Sequence, residues 1–394
     1  MSLNLEKSTW KRVAFGDVVR NLNITVKDPA VEGIDRVIAM EHLNPGELRI
    51  NRWGSIEDGT TFTRRVKPGQ TLFGKRRAYQ RKAAYAEFDA ITSGDILVFE
   101  ADPGQLLPDF LPFLVQSDGF YDHALGTSAG SLSPRTNWRD LSNYEFDLPP
   151  LGEQQRLADL LWAMERHRAE LDGQVLAIET ALQRFLADAF RAAPGPQIKI
   201  VDLCTDVIGG IWGSPEGEAE VDVLALGPRV YADGATQLAT DGSPVRSVSR
   251  RQAQARLVRD GDIILERSGG SPSQPVGRVV IAQGELSPCI PTDFQRLLRP
   301  NREVVEPHFL FWRLRHDWMA GVTRDYSKKT TNITNLSVKD YLARSIAVPS
   351  IADQTYLLGR VTSFEDTLTS VAEESSKLDV LRRSLHDEIF GGAE

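Results

Sequence analysis

The sequence predicts a mixed α/β protein built as an internal repeat, in which two similar globular domains are each followed by a long amphipathic helix. Three observations lead there. The junction Leu148-Pro149-Pro150-Leu151-Gly152-Glu153-Gln154 is echoed by Val348-Pro349-Ser350-Ile351-Ala352-Asp353-Gln354. A heptad-patterned segment follows both junctions. Shorter anchors recur through both domains in the same order. A duplicated unit whose closing helix cannot bury its own apolar stripe presents two similar surfaces from one polypeptide.

Residues 1–147 form the first domain, rich in short strands and turns. Leu72-Phe73, Ala83-Ala84-Tyr85 and Ile96-Leu97-Val98-Phe99 read as strands, and 109–116 as a short helix after Pro108. Residues 148–193 are the first junction and helix. Ala192-Ala193-Pro194-Gly195-Pro196 ends that helix, because proline and glycine together cannot continue it. The second domain, 197–347, repeats the order. Gly261-Asp262-Ile263-Ile264-Leu265 answers Gly69-Gln70-Thr71-Leu72-Phe73, and Pro307-His308-Phe309-Leu310 answers Pro108-Asp109-Phe110-Leu111. The offset drifts from 192 to 200, so loops have diverged in length around a persistent frame.

Residues 348–394 are the second junction and helix, where Ser350 and Asp353 make a capping pair. In the first helix Leu157, Leu161, Met164, Arg168, Leu171, Val175, Ile178, Leu182, Phe185 and Ala189 alternate spacings of four and three. Leu357, Val361, Phe364, Leu368, Val371, Ser375, Leu378, Arg382, Leu385 and Ile389 repeat the phase, so the two seams are expected to pack together. Arg168, Ser375 and Arg382 interrupt the seams, to fix register or to face a partner. Gly173 falls mid-helix, where a bend or close approach is expected. From Gln154 to Phe190 the rod is about 55 Å, or roughly 16 base pairs at 3.4 Å each.

At 394 residues, with ordinary hydrophobic and charged fractions, the chain is expected to form two or three domains. It shows neither a signal-peptide run nor a membrane-spanning stretch, so a cytoplasmic location is expected. Cys204 and Cys289 are far apart and read as buried thiols. The histidines, His42, His123, His167, His308, His316 and His386, form no tight cluster, so no metal is assigned. Net charge is −8, but residues 351–394 hold nine acids against four bases. Residues 64–82 contain Arg64, Arg65, Lys67, Lys75, Arg76, Arg77, Arg81 and Lys82 without an acid. Screening over roughly 8 Å makes that local stripe, rather than the total, decide phosphate contact.

Gly69-Gln70-Thr71-Leu72-Phe73-Gly74-Lys75-Arg76 falls one residue short of a P-loop. Arg76 has no hydroxyl for Mg²⁺, and the second repeat lacks both the second glycine and the lysine, so nucleotide binding is not expected. The turn fits phosphate and base-edge contact instead, against the plain alternative of a solvated charged loop. Arg267, Ser268 and Arg278 flank the corresponding Gly/Ser-rich loop. A second polar stretch precedes each junction, 126–137 and 326–335. DNA contact is thus assigned to Arg64, Arg65, Lys75, Arg76, Arg77, Tyr79, Arg81, Lys82, Arg135 and Asn137 in the first domain. Arg267, Ser268, Arg278, Lys328, Lys329 and Asn332 are assigned in the second. Neither methyltransferase tetrapeptides nor a nuclease carboxylate set is recognisable, so no catalytic residue is assigned.

The repeated junctions, the helices they open and the strand-plus-basic-turn segments at Gly69 and Gly261 resemble the specificity subunit of a Type I restriction-modification system. The second junction departs from the pattern, with Pro-Ser-Ile-Ala-Asp-Gln in place of Pro-Pro-Leu-x-Glu-Gln. The resemblance implies two target recognition domains separated by long antiparallel coiled-coil helices, with a pseudo-two-fold internal repeat. It implies a non-catalytic subunit that reads a bipartite double-stranded DNA target, and the different loops, Lys75 to Lys82 against Arg267 to Arg278, imply that this target is asymmetric. It also implies two methyltransferase subunits using S-adenosylmethionine for adenine N6 methylation, and restriction subunits using ATP and Mg. The alternatives are a restriction or modification enzyme with an unrecognised catalytic centre, or a coiled-coil protein scaffold.

Overall fold

The computed structural model describes residues 5–270, 274–329 and 333–391. The chain divides into two compact units: one holds residues through Gly173 together with those from Ala372 onward, the other Gln174–Val371. The division passes through both long helices, Leu151–Ala192 and Ile351–Phe390. Each unit therefore takes the opening half of the helix that follows its own domain and the closing half of the other.

In the first unit, Lys11–Ala14 pairs antiparallel with Glu145–Leu148, bringing the two ends of the domain together at the junction. One antiparallel sheet runs in the order Val19–Leu22, Ile96–Ala101, Thr71–Gly74, Ala83–Tyr85. A second runs Gly54–Ser55, Arg36–Ile38, Ala90–Thr92, Arg64–Val66, with its central pair parallel. The second unit keeps this plan. Gln197–Lys199 pairs with Ser345–Ala347, and the sheet Cys204–Gly209, Gln295–Pro300, Ile263–Glu266, Val279–Ile281 has the same order of crossing. Val221–Leu226 again runs parallel to its neighbour, Cys289–Pro291. Thr71–Gly74 and Ile263–Glu266, the strands read from the glycine-led anchors, are buried along their whole length. Central strands covered on both faces carry apolar runs rather than alternation, which made them readable.

The domains close on their helices through one core each. In the first unit Phe15, Phe73, Phe99 and Phe120 pack with Leu157, Leu161, Leu385 and Ile389. In the second, Phe309, Leu310 and Ile263 pack with Leu182, Leu186, Leu357 and Val361. Every seam position expected on either helix is buried or half-buried. Within each unit the two half-helices run antiparallel. Arg382, an expected interruption, donates to Glu165 at 3.1 Å, and His167 meets Glu374 at 2.9 Å. The surroundings of Gly173 are open, so no close approach explains it.

The repeated junction has a physical reason. Gln154 is fully buried; its amide donates to the carbonyls of Gln105 (2.9 Å) and Pro149 (2.8 Å) and accepts from the Leu107 N–H at 2.9 Å. Gln354, also fully buried, donates to Pro349 at 2.9 Å and accepts from the Glu306 N–H at 2.8 Å. One glutamine thus ties the start of each long helix to the loop that opens the preceding short helix. Satisfying several buried backbone groups at once makes the residue hard to replace. The departure at the second junction is local: Ser350 accepts from the Asp353 N–H at 3.2 Å, a side-chain cap that Pro150 cannot supply.

Candidate nucleic-acid interface

In each unit the fold brings together the two polar stretches that lie far apart in sequence. In the first, the chain leaves strand Thr71–Gly74 and meets the segment before the junction. The Thr136 N–H donates to Lys75 O at 3.0 Å, and the Arg77 N–H to Pro134 O at 2.8 Å. Arg76 and Arg135 face one another in an antiparallel bridge, and Arg135 bridges onward to Ala129. In the second, the Leu336 N–H donates to Arg267 O at 2.8 Å. Ser268–Gly269 pairs with Thr334–Leu336, which pairs with Ser327–Lys329. Lys75, Arg76 and Arg135 thereby correspond to Arg267, Ser268 and Asn335.

The first surface is held by an acid that the sequence reading did not single out. Asp95 lies 3.7 Å from Arg76 and 3.2 Å from Arg135. Arg76 also donates to the Ser133 hydroxyl at 2.6 Å. These pairs are substantially exposed, and such bridges are worth about 0–1 kcal/mol, so an incoming phosphate can replace Asp95 as partner at small cost. The Lys75 ammonium has neither hydrogen bond nor ion pair among the described residues. Burial and then the Arg64 guanidinium pull its pKa below the usual lysine range, Asp95 opposes, and Arg135 adds to the lowering. A lysine whose charged form is disfavoured by neighbouring cations is one that an anion stabilises.

Arg77 and Arg81 have positive φ, 55° and 52°, flanking the single turn Ala78–Gln80. Side chains rarely adopt this conformation, which costs about 1–3 kcal/mol, and it makes the basic turn tight. A Cβ on Gly74, just before it, would lie 2.8 Å from the Met40 methyl, which can swing aside, and 3.2 Å from Lys82 O, so the fit there is tight. Tyr79 at the crest is 56% exposed. The short turn where a P-loop would need a long helix removes the nucleotide reading.

Other assigned residues serve different partners. Arg64 donates to Asn23 at 2.9 Å and to the carbonyl of Ile96, and Arg65 is held by Glu32 and Asp89. Lys82 donates to Met40 O at 2.7 Å. Arg81 turns to Gln116 O and Asp118 over the Tyr121 ring. Asn137 is exposed at the start of Trp138–Leu141 and makes no side-chain cap there.

Arg278 corrects the expectation made for it. Its guanidinium, 14% exposed, pairs with the Glu266 carboxylate, 2% exposed, through contacts of 2.6 and 3.0 Å. A charge pair this buried holds the strand pair together and leaves no arm for a ligand. Ser268 is also mostly buried, its hydroxyl 2.5 Å from Asn335. Lys328 and Lys329 are exposed on the edge strand, and among the described residues the Arg267 guanidinium donates to Asp293 O at 3.5 Å. Arg296, which the sequence reading missed, has its pKa lowered by burial and then by Arg267. Asn332 lies outside the described residues.

Among the described residues, no group of three His, Cys, Asp or Glu could hold a metal, and no helix is long and apolar enough to cross a membrane. Cys204 is only partly buried, unlike Cys289; desolvation pushes the Cys204 thiol up to about 12 and Cys289 to about 11. Neither is a ready nucleophile.

No protein-family model matches the chain. Among curated proteins, the EcoDI type I restriction enzyme specificity subunit of Escherichia coli is 25% identical over 190 residues, 47% of this chain and 42% of that protein. A putative MjaX type I specificity subunit of Methanocaldococcus jannaschii is 21% identical over 138 residues, 35% of this chain and 32% of that protein. The chain thus spans less than half the length of the curated relatives it matches. Among solved structures, a chain from work on the assembly and conformational transition of the type I R-M system aligns over 98% of both chains, with TM-score 0.61 and 21% identity. The type I restriction-modification S subunit of M. genitalium aligns over 100% of this chain and 99% of that one, with TM-score 0.59 and 12% identity. In sequence over part of its length, and in fold over nearly all of it, this chain resembles the specificity subunits of type I restriction-modification systems.

Proposed function

We propose that this chain is the DNA sequence-recognition subunit of a type I restriction-modification complex. One observation carries the reading furthest: in both units a strand end and a second polar stretch are bridged at the same register, Arg76 to Arg135 and Ser268 to Asn335. The same backbone frame thus carries two different sets of side chains, as two readers of unlike half-sites require. The similarity to specificity subunits supports the same reading.

On this reading the chain does no chemistry itself. It recruits two methyltransferase subunits, which bind S-adenosylmethionine and methylate adenine, and restriction subunits, which use ATP and Mg. Methylome sequencing of a host carrying the chain and its methyltransferase partner is expected to show a bipartite, asymmetric modified-adenine motif. A continuous motif, or none, overturns the assignment. The purified chain alone, given labelled S-adenosylmethionine and DNA, is expected to transfer no methyl group. Transfer by the isolated chain would make it the enzyme.

A further inference from the structure

Each unit has a cleft where its domain meets its own helix pair, and the repeat makes the two clefts equivalent. Phe390 packs on Phe110 in the first unit, ring centroids 5.3 Å apart, and Phe190 packs on Phe309 in the second at 5.7 Å. In this frame Glu165 corresponds to Glu365, and Arg382 to Leu182. The clefts are nonetheless filled differently.

The first cleft, about 330 Å³, is self-neutralised. Its carboxylates, Asp118, Glu165 and Asp387, are matched by the guanidiniums of Arg81, Arg382 and Arg383. Glu165, only 5% exposed, is held by Arg382 at 3.1 Å. The second cleft is about 730 Å³, and leucine stands where that arginine would be. Among the described residues Glu179, Glu365 and Asp366 line it with His308 and one guanidinium, Arg315, whose N–H groups are already bound to Gly234 O (2.6 Å) and Ala235 O (3.0 Å). Glu365 makes neither hydrogen bond nor ion pair among the described residues; burial raises its pKa above the usual glutamate range, the nearby Arg315 guanidinium opposes that, and Asp366 adds to it. Trp318, half-buried, adds aromatic surface to the lining, whereas Trp312 is 3% exposed and its ring already faces the Arg315 guanidinium at 5.8 Å.

We propose that the second cleft is a receptor for an arginine side chain carried by a partner polypeptide, which pairs with Glu365 and stacks against the wall at Trp318. The molecule itself shows the chemistry, since the equivalent acid in the first unit is satisfied by an arginine borne on a helix. A planar guanidinium suits both a carboxylate and an aromatic face better than an ammonium does. The extra volume, more than double, accommodates the stem and backbone of an incoming segment. This inference rests on the reading of the chain as a subunit of a larger complex.

The test is calorimetric titration of the full chain with acetyl-Ala-Arg-Ala-amide at low ionic strength. Saturable binding with one site per chain is expected, weakened at least tenfold by Glu365→Gln and unchanged by Asp118→Asn in the other cleft. Gln183→Arg, which places a guanidinium at the cleft wall from an exposed position, is expected to abolish binding without lowering the melting temperature. Absence of saturable binding to the unaltered chain, or equal binding by the Glu365→Gln chain, overturns the proposal. Equal affinity for the lysine peptide or for spermidine also overturns it, by making the cleft a site for any cation. Methylome sequencing separates the two readings: a bipartite motif without peptide binding removes the receptor alone, and peptide binding without such a motif removes the DNA-reading role.

Discussion

The two polar surfaces share their backbone and differ in their side chains. In the first unit a half-buried acid, Asp95, gathers Arg76 and Arg135 beside Lys75, whose ammonium has no partner among the described residues. In the second the corresponding positions are Ser268, Asn335 and Arg267, and the exposed cations sit on the edge strand at Lys328 and Lys329. Strand pairing uses N–H and C=O groups that every residue carries except proline, which lacks the N–H, so the frame survives replacement of its side chains. A fold of this kind can change what a surface recognises without changing how the surface is held.

The largest expected effects test whether the frame is truly shared. Gln154→Leu and Gln354→Leu each leave buried backbone groups unpaired, at about 1–3 kcal/mol per group. Urea denaturation is expected to show losses of about 3–6 kcal/mol for either substitution. A nearly neutral result at one junction would mean the two joints are alike in sequence only. Arg278→Ala is expected to cost roughly 3–5 kcal/mol, since it strands the buried Glu266 carboxylate, while Arg76→Ala at the exposed bridge costs less than about 1 kcal/mol. Equal costs would remove the distinction between scaffold and contact arginines.

DNA binding sharpens the comparison at a smaller scale. In the assembled complex, Arg76→Ala with Arg135→Ala, and separately Lys328→Ala with Lys329→Ala, are each expected to weaken binding about tenfold or more. Each pair should reduce the salt slope by about 2. Filter binding over a salt series measures both, and an unchanged slope for either pair takes that surface off the DNA. The smallest effect separates the units by pH. Burial lowers the pKa of His386, whose ring donates to Phe113 O at 2.9 Å, while Arg382 adds to the lowering; its counterpart in the second unit is Leu186. The unfolded chain takes up this proton near pH 6.5 and the folded chain resists it, so stability is lost as pH falls below that point. His386→Leu is expected to flatten the slope of stability between pH 6.5 and 5 by up to about 1.4 kcal/mol per unit. An unaltered slope would assign the acid sensitivity to other groups, such as His308 and His316, whose pKa values burial also lowers.

Much of the frame was legible because it is written locally. Heptad spacing placed all the seam residues from Leu157 to Ile389, and apolar runs marked the central strands. The echo of Gln154 in Gln354 was visible as a pattern, though its cause, a side chain tied to loops 49 and 48 residues upstream, was not. The contact surface was only half legible. Basic residues announce themselves as a stripe, whereas Asp95 is a single acid whose role depends on arginines 19 and 40 residues away.

By itself the sequence determined the repeat, the long helices and several central strands, because periodicity and turn chemistry act between neighbours along the chain. Tertiary structure decided which cations remain available. Arg278 and Lys75 look equally basic in sequence, yet strand pairing sets Glu266 against Arg278 and gives the Lys75 side chain no partner among the described residues. It also decided that each unit is completed by half of the other's helix, so that Arg382, near the end of the chain, neutralises Glu165 while Leu182 leaves Glu365 open. Charge pairing depends on distance in space, and no spacing along the chain encodes it.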